Sequence, residues 1–201
     1  YKYLLHFHEL LTKRSGFKKY FCKESGEGKK RKLEPFAPFY SLYNIGEYTL
    51  SPFKVCWPEL SNDLRAGVAE PFADSKSGNK VVMPDHTVVF ISLSSRDEAH
   101  FCCALLNSSP AGLAVASYIT LHPSPHVLEH IRLPRFVSHD KQHAQLSLLS
   151  QRAHELATKD DEKSLKKLAE VEVEIDSLAS TVWDISDTEL RDIQSSLNDL
   201  R

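Results

Sequence analysis

The run Thr87-Val88-Val89-Phe90-Ile91-Ser92-Leu93-Ser94-Ser95-Arg96-Asp97-Glu98-Ala99-His100-Phe101-Cys102-Cys103-Ala104-Leu105-Leu106-Asn107 holds two kinds of backbone back to back. Thr87 to Leu93 is rich in β-branched and aromatic residues and has strand length. Ser95 and Glu98 then stand at capping-box spacing, which satisfies two of the free N–H groups at a helix start. Ala99 to Leu106 continues the helix, and Asn107-Ser108-Ser109-Pro110 ends it. A strand feeding straight into a capped helix predicts a chain of the α+β class.

The strand texture extends upstream. Phe39 to Ile45, Tyr48 to Leu50, Phe53 to Trp57, Arg65 to Glu70 and Lys80 to Met83 all read as short strands, with Pro52 at an edge or bulge. Ala73 to Asn79 reads as a turn-rich loop. At the front, Leu4, Leu5, His8 and Leu11 predict a helix from Tyr1 to Arg14, with Gly16 as its stop signal. Phe17 to Pro38 reads as a basic connector. Downstream, Ala111 to Tyr118 predicts an apolar helix and His130 to Pro134 a last strand. Beyond them Leu146, Leu149, Ala153 and Leu156 form one helical stripe, and Leu165, Leu168, Ile175, Leu178 and Val182 another. Thr158 to Lys163 breaks the two. Ser186 and Glu189 offer a second capping box before Leu190, Ile193 and Leu197. The expected organisation is an α+β domain over 1–137, followed by a helical C-terminal segment over 138–201.

The 201 residues are 41% hydrophobic and 26% charged, enough to bury a core. No apolar run approaches a membrane span, and no secretory signal opens the chain, so no membrane partner is expected and the expected location is cytoplasmic. Met83 is the sole methionine and the chain starts at Tyr1, which predicts a piece of a longer protein. Cys22, Cys56, Cys102 and Cys103 show no C-x-x-C spacing and read as thiols in a reducing compartment. The net charge is −2, but residues 1–32 hold ten Lys/Arg against three Asp/Glu, and residues 141–201 hold eight against thirteen.

No catalytic site is expected. No P-loop, G-x-G-x-x-G or G-x-S-x-G stands in the chain, and it lacks any Pro-Pro. His122, His126 and His130 have i, i+4 spacing, but Pro123 and Pro125 break any helix that would align them, so no metal site is expected. Nucleic-acid binding has better support. Lys18, Lys19, Lys23, Lys29, Lys30, Arg31 and Lys32 interleave with Phe17, Tyr20 and Phe21. Lysine and arginine neutralise phosphates irrespective of sequence, whereas reading a sequence requires polar side chains presented to base edges from a rigid frame. The candidate DNA-binding residues are Lys29, Lys30, Arg31 and Lys32 in the basic loop, Lys54 in a strand, and Lys76, Asn79 and Lys80 in the polar loop. Trp57 reads as core.

The segment Tyr43 to Trp57 (YNIGEYTLSPFKVCW) resembles a block in the C-terminal target-recognition domains of N6-adenine DNA methyltransferases, the TaqI-like specificity domains of restriction–modification systems. Val82-Met83-Pro84-Asp85-His86, Glu98-Ala99-His100 with Ala104 to Ser108, His126 to Leu128 with Ile131 to Phe136, and Ile175 to Leu178 with Trp183 to Leu190 follow in the family's order. The resemblance implies an α+β domain, with a curved mixed or antiparallel sheet and flanking helices, that binds double-stranded DNA and chooses the site. It implies an N-terminal methyltransferase domain on the same chain that holds S-adenosylmethionine, while this stretch holds no cofactor. Two alternatives stay open: a type I restriction specificity subunit, and a helical protein-interaction module.

Overall fold

In a computed structural model, residues 1–26, 31–61, 63–76, 78–118 and 128–200 are described, and the chain falls into two units, Tyr1–Glu47 and Tyr48–Arg201. The boundary expected at 137/138 lies inside the second unit. The units differ in charge: the first holds ten Lys/Arg against five Asp/Glu, the second fifteen against twenty-two.

The first unit is built from α1 (Lys2–Leu5), α2 (His8–Lys13), α3 (Ser15–Phe21) and a hairpin of β1 (Cys22–Ser25) with β2 (Lys32–Pro35). The single helix expected over 1–14 is two, interrupted at Phe7, and it ends as expected at Arg14, whose ψ of 137° is extended. That end is tied down from elsewhere in the unit. The Arg14 guanidinium donates to the carbonyls of Phe39 and Ser41, at 3.1 and 3.0 Å, tying the chain to the 39–41 segment. Helix α3 runs through Gly16, the expected stop, because Phe17 behind it is buried. Part of the expected connector is therefore helix and hairpin. Phe39 to Ile45, expected as a strand, is irregular. Its rings pack on helices instead of a neighbouring strand: Phe39 lies 4.6 Å from His8, and Tyr43 stacks 4.3 Å from Tyr20. Strand propensity is mostly a preference for cross-strand partners, which this segment lacks.

In the second unit, β3 (Phe53–Pro58) is the centre of an antiparallel sheet, flanked by β4 (Gly67–Ala69) and β7 (Val88–Leu93), with Val55 opposite both Val68 and Ile91. Alternation puts Val55 and Trp57 on one face, both buried, against α4 (Arg96–Asn107). A separate hairpin, β5 (Phe72–Asp74) with β6 (Gly78–Lys80), follows β4. The expected single sheet is thus three small antiparallel pieces. Pro71, between Ala69 and Phe72, has no N–H to carry the β4 ladder onward. Residues 48–50 lie in a 3₁₀ turn (Glu47–Leu50), and residues 81–83 and 131–134 form no strand.

Helix α4 starts where its sequence says. The Ser95 hydroxyl accepts from the Glu98 N–H. Seven of its twelve residues are buried, because it is covered on two sides. One side meets the sheet, where Cys103 and Leu106 join Val55 and Trp57. The other meets α6 (Lys141–Ala157) and α7 (Glu162–Val182), where Phe101, Ala104 and Leu105 join Leu146, Leu149, Val171, Ile175 and Ala179. Leu165, expected in the α7 stripe, is 55% exposed, since the buried register is Val171, Ile175 and Ala179. Asp140 and Asp161 cap α6 and α7. At the end of α7, Asp184 takes a left-handed φ of 55°, and the Ile185 N–H reaches back to the Ser180 carbonyl at 2.8 Å. Helix α8 (Asp187–Leu200) opens with a complete capping box: Ser186 N–H to Glu189 Oε2 at 2.8 Å, and Glu189 N–H to Ser186 Oγ at 3.3 Å. It packs on α5 (Ser109–Tyr118), with Leu197 3.5 Å from where a Cβ on Gly112 would stand.

Candidate nucleic-acid interface

The expected contact residues divide between the two units. Lys29 and Lys30 lie outside the described residues. Arg31 and Lys32 are exposed beside the β1–β2 hairpin, and Arg31 is held 3.3 Å from Glu24. Lys18, Lys19 and Lys23 are also exposed and have no carboxylate partner among the described residues. Of the aromatics interleaved with them, Phe17 is core and Tyr20 is at the surface. In the second unit, Lys76, Asn79 and Lys80 are all exposed on the β5–β6 hairpin. Its turn is held by Asp74, which accepts from the Lys76 N–H at 3.0 Å.

Lys54 is a correction. It is fully buried, and its ammonium donates to the Ser51 carbonyl at 2.6 Å, near the Phe90 ring. Burial lowers its pKa below the usual lysine value. No phosphate can reach it in this conformation. The strand alternation that turns Val55 and Trp57 to the core was legible; that the opposite face is also covered was not.

A polar cluster, with His100 and Ser150 buried and Glu70 and Arg96 partly exposed, anchors the hairpin. Glu70, between β4 and β5, accepts from Arg96 Nε at 2.9 Å and lies 3.0 Å from His100 Nε2. His100 Nδ1 lies 3.0 Å from Ser150 Oγ, and Arg96 also bonds Gln151. The carboxylate only accepts, so Nε2 carries the proton and Nδ1 accepts from the serine hydroxyl. One turn on, His154 Nδ1 donates to the Ser150 carbonyl at 2.7 Å, and its Nε2 accepts from the Val68 N–H at 2.9 Å. The Arg96 bond pulls Glu70 below the usual carboxylate range. Burial outweighs the carboxylate and lowers His100. Ser150, His100 and Glu70 have the residue types of a hydrolytic triad, but Ser150 and His100 are buried, with 2% and 1% of their surface exposed. Their work is to join β4 and the root of the hairpin to α4 and α6. Asn107 does the same at the other end of α4, exchanging 2.8 Å bonds with both the N–H and carbonyl of Ala66. In the sequence, Asn107 marks a helix end and shares a family-like block with His100, but nothing there gives either a bonding role, and nothing singles out His154.

Other chemistry is thinly represented. Among the described residues no three His, Cys, Asp or Glu side chains gather as a metal site; His122 and His126 lie outside them. Cys22, Cys56, Cys102 and Cys103 are free, and burial pushes the Cys102 and Cys103 thiols up to about 12. A cleft of about 320 Å³ opens between the α4–α5 junction and α8, lined by Asn107, Ser109, Gly112, Gln194 and Leu197 among others. No described single helix is long and apolar enough to cross a membrane.

Comparison with family models, curated proteins and solved structures returns no match.

Proposed function

We propose that the chain is the DNA target-recognition part of an N6-adenine DNA methyltransferase. The observation that carries the reading is the β5–β6 hairpin: exposed Lys76, Asn79 and Lys80, on a ribbon whose root at Glu70 is clamped to α4 and α6. A two-stranded ribbon fits the major groove, where asparagine pairs bidentately with adenine and lysine with guanine. The exposed lysines of the first unit, Lys18, Lys19 and Lys23 among them, supply the sequence-blind attraction to phosphate. The ordered sequence blocks add the link to adenine methylation. S-adenosylmethionine belongs to a methyltransferase domain, and no residue of this chain is assigned to it.

The test is a salt titration of duplex binding. Replacing Lys29, Lys30, Arg31 and Lys32 with alanine is expected to weaken binding at every sequence and to reduce the log–log salt slope by up to about four. Asn79→Ala is expected to relax the sequence preference and leave the slope unchanged. Absence of duplex affinity at low salt would overturn the reading and favour a helical docking module.

A further inference from the structure

We propose that Tyr20 and Tyr43, with Lys19 beside them, form a stacking platform for unpaired bases of single-stranded DNA. This rests on the DNA reading above and adds a ligand to it. The two rings are stacked, with centroids 4.3 Å apart and planes 18° apart, yet they remain 42% and 52% exposed. The Lys19 ammonium lies 4.9 Å from the centre of the Tyr20 ring. Lys18 and Lys23 are exposed nearby in sequence, on α3 and β1.

The pair is positioned by the fold. Tyr20 sits on α3. Tyr43 precedes Asn44, whose φ of 58° is the left-handed conformation that asparagine tolerates better than most residues. Gly16 lies against the ring, and a Cβ there would stand in ordinary van der Waals contact, 3.5 Å from Tyr43 Cε1. Arg14 fixes the segment just before it through Phe39 and Ser41. The occupant follows from chemistry. A unit with ten Lys/Arg against five Asp/Glu attracts a polyanion. Aromatic faces beside cations bind bases regardless of sequence, because every base has a π-face. A strand opened for base extrusion presents such bases.

The test measures anisotropy of a labelled thymidine oligomer of about twelve nucleotides, within the ~4–16-nucleotide footprint of such sites. A duplex of equal length is measured in parallel with the same full chain. Tyr20→Ala and Tyr43→Ala are each expected to weaken single-strand binding by about fivefold to a hundredfold, and to leave duplex affinity within about twofold. Tyr43→Phe, which keeps the ring, retains the single-strand affinity. Lys19→Ala reduces the salt slope by about one. Single-strand affinity unchanged in both alanine variants overturns the platform. If the duplex binds with its salt dependence and the single strand does not, the platform fails and the DNA reading stands. If neither binds at low salt, both fail.

Discussion

His100 occupies a position where burial and pairing oppose each other. Its ring is interior, and one nitrogen faces Glu70 while the other faces Ser150. The folded-state pKa lies below the ordinary 6.5, so between those two values the unfolded chain takes up a proton that the folded chain refuses. Glu70 is likewise lowered from 4.5. Both groups therefore favour the folded state at neutral pH, and that contribution is lost as pH falls, first through the histidine window and then through the carboxylate window. The urea midpoint is expected to fall between pH 7 and pH 5, with a shallower fall in His100→Asn; equal slopes in the two proteins would remove His100 as the cause. Lys54 differs because its ammonium has one carbonyl acceptor in a sealed place. Lys54→Met keeps the stem's packing and removes the buried charge. It is expected to hold stability within about 1 kcal/mol of the parent, or to raise it, and to leave duplex affinity unchanged. A selective loss of affinity would put Lys54 back on the DNA.

At the scale of elements, capping residues were the most readable signals and edge strands the least. Ser95 and Ser186 announce α4 and α8 by residue type and spacing alone, and both hydroxyls accept the expected N–H. Capping is local chemistry, complete within four residues. Phe39 to Ile45 has strand composition without a strand partner, and partners are set by the whole chain. The stripes of α7 fall between these cases: period alone admits Leu165, while contact with α4 and α6 selects Val171, Ile175 and Ala179. The difference is measurable by chemical denaturation. Ile175→Ala is expected to cost about 2–5 kcal/mol as a buried truncation. Leu165→Ala is expected to stay within about 0.5 kcal/mol, as surface substitutions do. Similar losses at both positions would mean that the helix is rotated from the register described.

For the whole molecule, α4 is the element both cores share, with the sheet on one side and α6 and α7 on the other. Opening either core exposes it. Its central amides, Phe101 to Leu106, are expected to exchange with solvent only through global unfolding, and those of β5 and β6 through local fraying. Faster exchange in α4 than in α8 would contradict the shared-core description. This centrality was partly legible, since the strand-to-helix run marked out β7 and α4 from residue type. The Glu70 clamp was not, because its parts are scattered over eighty residues and meet only in the fold. The candidate contact residues show the same division: exposure of Lys76, Asn79 and Lys80 followed from a turn-rich sequence, whereas burial of Lys54 depended on distant cover.

The clamp ends at Glu70, and Pro71 then interrupts the ladder before the hairpin begins. Among the described residues of the hairpin, 72–76 and 78–80, none belongs to either core. The hairpin is thus a cassette on a fixed socket. Its letters can be rewritten, lengthened or exchanged for those of another ribbon without renegotiating the interior, so its surface chemistry can change without a change of fold.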